Sequence, residues 1–340
     1  MKNRRWQIKV WFVLALIIWT GGCATVPVEG PSVVIKRAQM HMGTLVSISA
    51  VAPTKELAQV SIEAAFHEIK RLEQLLSTWI QTSELSRVNE AAGRGPVVVG
   101  QETMELVLRA LEITGLTEGG FNIAVGPAVE AWSVTERQRI PSADELHALK
   151  PLVDWSAIQV NRQAHTIFLP KPGMRIDVGG IGKGYAADRA AEAMRKAGAQ
   201  GGVVALSGDI KTFGNLPGRN GFPVGIRHPR QDGALVATID LKNEAISTAG
   251  DYERYFERDG IRYHHILDPQ SLEPARTCQS VTVIAAEGMV ADGLDTGIFV
   301  MGPEKGMALI EQLPDVEAVI IDGQGRMTVS SGLRSRLRYP

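Results

Sequence analysis

A helix that buries its apolar face cannot also bury ionised carboxylates unaided, and residues 289–300 set up that conflict. Met289, Val290, Leu294, Ile298, Phe299 and Val300 make the segment largely apolar, while the run ADGLDTGIF at 291–299 plants two acids within it. On a helix, Asp292, Asp295 and Thr296 fall at i, i+3 and i+4 and share one face. Two carboxylates and a hydroxyl are hard oxygen donors, suited to magnesium or calcium rather than to zinc. The other reading is a first helical turn whose acids offset the helix dipole. It accounts for one acid better than for the pair with its threonine. Either way, the fold must bring a cation or hydrogen-bond donors against this face.

A second segment has the complementary character. Residues 175–186 read RIDVGGIGKGYA, a short strand ending in Asp177, a glycine run, and a helix starting near Lys183. Glycines let a backbone approach a phosphate closely, and a helix N-terminus offers free N–H groups and partial positive charge. Lys183 adds a mobile full charge. The match to a dinucleotide fingerprint is loose, and a P-loop is excluded because Asp177 and Gly184 stand where it needs Gly and Ser or Thr. The residues alone leave two readings open, an anion cradle or a tight strand-to-helix turn without a ligand.

Between these lies GDYERYFERDGIRYHHILDP at 250–269. Asp259-Gly260 is a turn signal leading into a strand over Arg262–Leu267. His264 and His265 alternate faces on such a strand, so only one can point into a given site. A histidine among polar neighbours can be a general base, and an isolated one is more often a hydrogen-bonded surface residue.

The N-terminus carries Lys2, Arg4, Arg5 and Lys9, an apolar run over Val10–Trp19, then Thr20, Gly21, Gly22 and Cys23. This is the layout of an export signal over 1–22, too short for a comfortable transmembrane helix. Cys23 after small residues resembles a bacterial lipobox, with Thr20 where leucine is usual, and is the expected lipidation site. Residues 23–36, rich in Pro, Gly and Val, are expected to tether a body spanning 37–335. The chain has only two cysteines, so an acylated Cys23 leaves Cys278 without an intrachain partner, a buried small residue rather than a nucleophile. The formal charge of −1, and the loss of four basic residues with the signal, leave no basic footprint for nucleic acid.

Periodicity predicts helices over Lys55–Leu76, Glu102–Thr117, Tyr185–Ala197, Met289–Val300 and Pro303–Gln312, and a short one from Ser142 to near Leu149. Strands are expected over Leu45–Val51, His165–Leu169, Gly202–Leu206, Val224–Ile226, Leu235–Ile239, Ala245–Thr248, Ser280–Ala285, Val316–Ile321 and Met327–Ser330. They cluster as hairpins instead of alternating with helices. This predicts α+β with a largely antiparallel sheet and one compact domain.

From about Met42 onward these segments, in this order, resemble the ApbE family, the FAD:protein FMN transferases. The resemblance is carried by MGT at 42–44, LSTWIQTSELSRVNE at 76–90, FNIAVGPAVEAW at 121–132, IDVGGIGKGYAAD, LSGDI at 206–210, STAGDYERYFERDGIRYHHILDP, and SVTVIAAEGMVADGLDTGIFVMGPEKG. It implies an ApbE-like (T-fold-like) single domain with flanking helices. It also implies that Met42, Trp79, Gly120, Phe121, Asn122, Asp177, Lys183 and the stretch ending in Leu267 match positions contacting FAD. The carbonyl of Gly180, with Asp292, Asp295 and Thr296, matches the family's metal site, and His265 matches a histidine implicated in catalysis. Asp177 and Lys183 are further catalytic candidates. Departures are Asn122 where the family commonly has Asp, Ser133-Val134 after Trp132, Ser207 in place of a glycine, and Ser271-Leu272-Glu273 in place of a Thr-Gly turn.

The activity implied is magnesium-dependent transfer of FMN from FAD, the substrate, to a Ser or Thr of a partner protein, with release of AMP. The partner implied is a membrane electron-transfer subunit, met by an exported enzyme anchored through Cys23 and facing the periplasm or cell exterior. Two other outcomes are FAD hydrolysis to FMN and AMP, and flavin carriage without chemistry.

Overall fold

The structure, a computed structural model, describes residues 32–340. Its centre is an eight-stranded sheet whose strands lie side by side in chain order. They are β1 (Val33–His41), β2 (Thr44–Ala52), β3 (Gly201–Leu206), β4 (Asp209–Phe213), β5 (Ala245–Gly250), β6 (Cys278–Ala285), β7 (Glu317–Asp322) and β8 (Met327–Val329). All neighbouring pairs are antiparallel, as the hairpin-like clustering of strand signals predicts. Long insertions fall between β2 and β3 and between β5 and β6, and they carry much of the candidate site.

Alternation along the strands decides what each face buries. On β5 and β6, Ala249, Val281, Val283 and Ala285 join the main core, while Ile246 and Ile284 join a second core on the other face. That second core is closed by a hairpin of Phe222–Arg227 with Leu235–Leu241 and by Leu333 and Leu337 near the C-terminus. Helices α1 (Lys55–Leu76), α2 (Gln101–Leu116), α3 (Gly182–Lys196) and α4 (Gly288–Met301) contribute to the main core. Leu294, Ile298 and Phe299 of α4 are fully buried, each worth roughly 1.5–3 kcal/mol of burial. No helix of the described residues is long and apolar enough to cross a membrane.

Several boundaries differ from those read in the sequence. Strand β1 begins at Val33, inside the expected tether. At the other end, Arg338 bridges to Thr238 and Leu337 is buried, so the body runs past 335. Backbone pairing holds both ends, and the amphipathic pattern there is weak. The strand expected over Arg262–Leu267 is Ile261–His264, paired with Tyr255–Arg258. It stops where His264 turns inward. Helix α3 starts at Gly182, in keeping with the start near Lys183 read from the glycine run and three residues before the start at Tyr185 read from periodicity, because its first turn is built by glycines that propensity disfavours.

The tightest feature is the approach of α3 to α4. A methyl group at Gly184 would lie 2.1 Å from the Gly288 carbonyl oxygen, and one at Gly288 would lie 2.7 Å from the Gly184 oxygen. Neither helix has a side-chain cap at its own N-cap position. Each takes one from the other. Asp292 of α4 accepts from the Gly184 N–H at 2.9 Å, and Asp188 of α3 accepts from Gly288 and Met289 N–H at 2.8 and 3.0 Å. Lys211 on β4 lies 3.5 Å from Asp188 and steadies that carboxylate.

Gly184→Ala is therefore expected to force the helices apart and cost at least about 2 kcal/mol in urea unfolding. Asp188→Ala should lose about 1–2 kcal/mol with the cap alone. Unchanged midpoints for both would show that this crossing does not support the fold.

Candidate active site

The site forms where the N-terminus of α3 meets the acidic face of α4. The i, i+3, i+4 spacing holds on α4, and Asp292 and Asp295 are 3% and 2% exposed. Asp292 does offset a helix dipole, but that of α3 and not its own. Asp209, the first residue of β4, completes a group of three carboxylates whose candidate ligand oxygens all lie within 4.8 Å of one another. Asp209 was not among the residues singled out from the sequence. Its signal was the hairpin turn Ser207-Gly208, in which Ser207 takes a left-handed φ of 59° and Asp209 begins the return strand.

Like charges this close and this buried resist ionisation. Burial first, then the Asp209 charge, pushes Asp292 up to about 7. Burial, then Asp292 and Asp209, holds Asp295 well above the ordinary carboxylate range. Among the described residues, Lys183 is the ammonium that answers them. Burial alone would lower its pKa, but Asp209 and Asp292 outweigh that and hold it above an ordinary lysine. Its Nζ is ion-paired to Asp209.

Other predicted residues gather around this centre. A methyl group at Gly180 would lie 3.0 Å from Thr296 Oγ1 and 3.3 Å from the Phe121 ring, so all three residues meet. Thr296 Oγ1 is 3.2 Å from Asp295 Oδ1. Gly120 lies against the Gly297 carbonyl of α4. Asn122 caps a short turn through Ala124 N–H at 2.8 Å, and the Ile123 carbonyl accepts from Asp177 N–H at 2.8 Å. Asp177 in turn accepts from Gly179 N–H, and burial raises its pKa. It lines a surface concavity with Trp79, which is 72% exposed, and with Arg175 and Glu130.

The two histidines separate as alternation requires. His264 is buried, donating from Nε2 to the Ala275 carbonyl at 2.7 Å and accepting from Ile266 N–H, and burial lowers its pKa to about 4. It is structural. His265 faces the other way and is reachable from solvent. Its Nδ1 lies 3.2 Å from the Arg254 carbonyl. A carbonyl only accepts, so Nδ1 carries the proton and Nε2 keeps its lone pair. The surrounding protein, then the Arg254 cation, lowers its pKa and keeps it neutral.

Two predicted residues stand apart in their contacts. Met42 sits in the β1–β2 turn with φ 49°, its N–H bonded to Glu73. Leu267 is buried in a separate cluster with Trp132 and Leu272. Cys23 lies outside the described residues. Asn89, within a segment that carries the resemblance but given no role there, bonds the Ile176 backbone at 2.9 and 2.7 Å and so fixes the segment leading to Asp177. That segment is not the short strand expected from the sequence: its backbone is held by this side chain and by the Ile123 carbonyl, not by a neighbouring strand. Cys278 is buried, and burial pushes its thiol up to about 12, in keeping with an inert residue.

Oxygen donors of this kind, desolvated and short of positive charge, fit a hard divalent cation. The relatives of this chain are named as transferases. The chain belongs to the ApbE family, whose model matches residues 42–320. It is 34% identical to the FAD:protein FMN transferase of Klebsiella pneumoniae (strain 342) over 274 residues, 80% of this chain and 85% of that one. It is 32% identical to the protein of the same name from Vibrio cholerae over 339 residues, 95% and 98% of the two chains. Among solved structures, the ApbE protein of Thermotoga maritima superposes with a TM-score of 0.83 at 30% identity, covering 90% of this chain and 100% of that one. The flavin transferase ApbE from Vibrio cholerae gives 0.79 at 28%, with the same coverage.

The raised carboxyl pKa values have a thermodynamic consequence. The folded protein binds more protons than the unfolded chain between the ordinary carboxylate range and about 7, so metal-free stability falls as pH rises through that window. A cation that replaces those protons stabilises more at the upper end. Melting in EDTA and in excess magnesium, from about pH 5 to about pH 7.5, should show the two curves diverging. In Asp292→Asn the divergence should shrink. Parallel curves for the unsubstituted protein would refute the cation site.

Proposed function

We propose that the chain is a magnesium-dependent FAD:protein FMN transferase that attaches FMN through a phosphoester to a Ser or Thr of a partner protein and releases AMP. One observation carries this reading. Three buried carboxylates are gathered at a helix N-terminus beside a protonated lysine, with a neutral histidine in electrostatic reach of that lysine. Asp292, Asp295, Thr296 and Gly180 are the residues that would hold magnesium. When bound, it supplies positive charge against the charge that builds on transferring phosphates.

The remaining work falls to this chain's own groups. The positive end of the α3 dipole and the Lys183 ammonium suit the pyrophosphate of FAD, while the Gly182 and Gly184 N–H groups are already bonded to Val178 and Asp292. Lys183 stays protonated beside Asp209, so it stabilises charge and does not take a proton. The acceptor hydroxyl oxygen bonds to the FMN phosphorus, and the bond from that phosphorus to the bridging oxygen breaks. AMP leaves with that oxygen. His265 Nε2, kept free by the Nδ1 contact, is placed to receive the hydroxyl proton. Asp177 and the exposed Trp79 share the adjoining concavity, where the flavin end of the substrate fits.

The acceptor expected is a membrane electron-transfer subunit. Export and acylation at Cys23 would hold enzyme and acceptor on one membrane facing the periplasm or cell exterior, raising their mutual concentration. Cys23→Ser should then move the protein from the membrane fraction to the soluble one on cell fractionation. Retention at the membrane would remove the anchor from the proposal.

The reaction is tested by mixing protein, FAD, magnesium and an acceptor domain and weighing the acceptor. A gain of one FMN is expected. Asp292→Ala should give none, and His265→Ala should slow labelling by about 10²–10⁴-fold. Consumption of FAD without acceptor gain would replace transfer by hydrolysis, and bound but unaltered FAD would leave a carrier.

A further inference from the structure

The carboxylate group is wired to its surroundings by Asp209, described so far only as a member of the group and the partner of Lys183, and by Ser247, which has no role in the reading above. Asp209 and Ser247 are 2% and 1% exposed. The β4–β5 register pairs Ala245 with Lys211 and Ile246 with Ile210, which places Ser247 opposite Asp209 at the next step. The two side chains point to the same face and bond, Ser247 Oγ to Asp209 Oδ1. The same hydroxyl also reaches Asp295 Oδ2 at 2.6 Å, while the other oxygen of Asp209 holds Lys183. A chain of contacts therefore runs Lys183–Asp209–Ser247–Asp295, joining α3, β4, β5 and α4.

A serine hydroxyl has one proton and can donate it to one carboxylate at a time. Two carboxyl groups on one hydroxyl form a stable arrangement when one of them holds a proton or when further positive charge is nearby. Lys183 supplies it on the Asp209 side. On the Asp295 side the described residues place no cation except Lys183 itself. With all three carboxylates ionised, one ammonium leaves an excess of two negative charges, the complement of one divalent cation.

We propose that Ser247 and Asp209 are positioning residues that hold Asp295 and Lys183 in one fixed arrangement and thereby set the affinity of the site for a divalent cation. Ser247 orients the Asp295 carboxylate by its hydrogen bond, as outer partners orient metal ligands elsewhere. Asp209 anchors the Lys183 ammonium on its own oxygen, so that the lysine does not swing onto Asp292 or Asp295 and compete with the cation. The inference rests on the proposed cation site but not on the transfer reaction.

The test is manganese binding to the full chain in detergent, read by the electron paramagnetic resonance of free Mn²⁺, without FAD or acceptor. Ser247→Ala is expected to weaken binding by about 10- to 100-fold. Ser247→Thr, which restores a hydroxyl, should return it to within about threefold of the unsubstituted protein. Asp209→Asn keeps the shape and removes the charge, and should also weaken binding at least about tenfold. Melting in EDTA identifies any variant that fails to fold, and the remaining two then decide. Wild-type manganese affinity in a folded Ser247→Ala or Asp209→Asn overturns the proposal, as does a folded Ser247→Thr that binds no better than the alanine variant. Failure of acceptor labelling by the unsubstituted protein would overturn the transferase reading and leave these binding results standing.

Discussion

The close crossing of α3 and α4 supports everything else in the site. Two glycines let the helix backbones touch, and at that distance each helix can cap the other. Asp292 satisfies the start of α3, and Asp188 satisfies the start of α4. The same contact that seals the core thus draws a carboxylate onto a helix N-terminus. A bulkier residue at Gly184 or Gly288 would move Asp292 away from the Gly184 N–H and open the site along with the core.

Burying that carboxylate has an electrostatic cost, and the architecture does not remove it. Asp292 and Asp295 are desolvated beside Asp209, which raises the pKa of both, with Lys183 as the ammonium set against them among the described residues. Buried charge without compensation is among the most unfavourable features a fold can carry. A site kept in this condition favours whatever relieves it, and a hard cation is the proposed occupant. In the proposed reaction the neutral His265 and the protonated Lys183 divide the remaining roles, one able to accept a proton and the other able only to hold negative charge.

Much of this was legible beforehand. The hydrophobic period placed α4 and aligned Asp292, Asp295 and Thr296. The glycine run marked the start of a helix, and the turn at Asp259-Gly260 placed the two histidines on opposite faces. What escaped reading has a common cause. Asp209 enters through a two-residue turn with a serine in the left-handed region. Ser247 looks like an ordinary strand residue, and Asn89 and Asp188 act on backbone atoms about a hundred residues away. None carries a local pattern, because its partner is set by sheet register or helix crossing. The ends of the body were misplaced for a related reason: β1 and the bridge at Arg338 are held by backbone pairing that leaves little trace in side-chain periodicity.

By itself, the amino-acid sequence determined the class of fold, the order of its elements and the two half-sites. These depend on interactions within a few residues: helical spacing, turn chemistry and the run of apolar positions. It also posed the problem of two acids on an apolar helix. Only the tertiary structure decided how that problem is met. Electrostatic compensation depends on distance in space, and α3, β4 and β5 reach Asp292 and Asp295 from far along the chain.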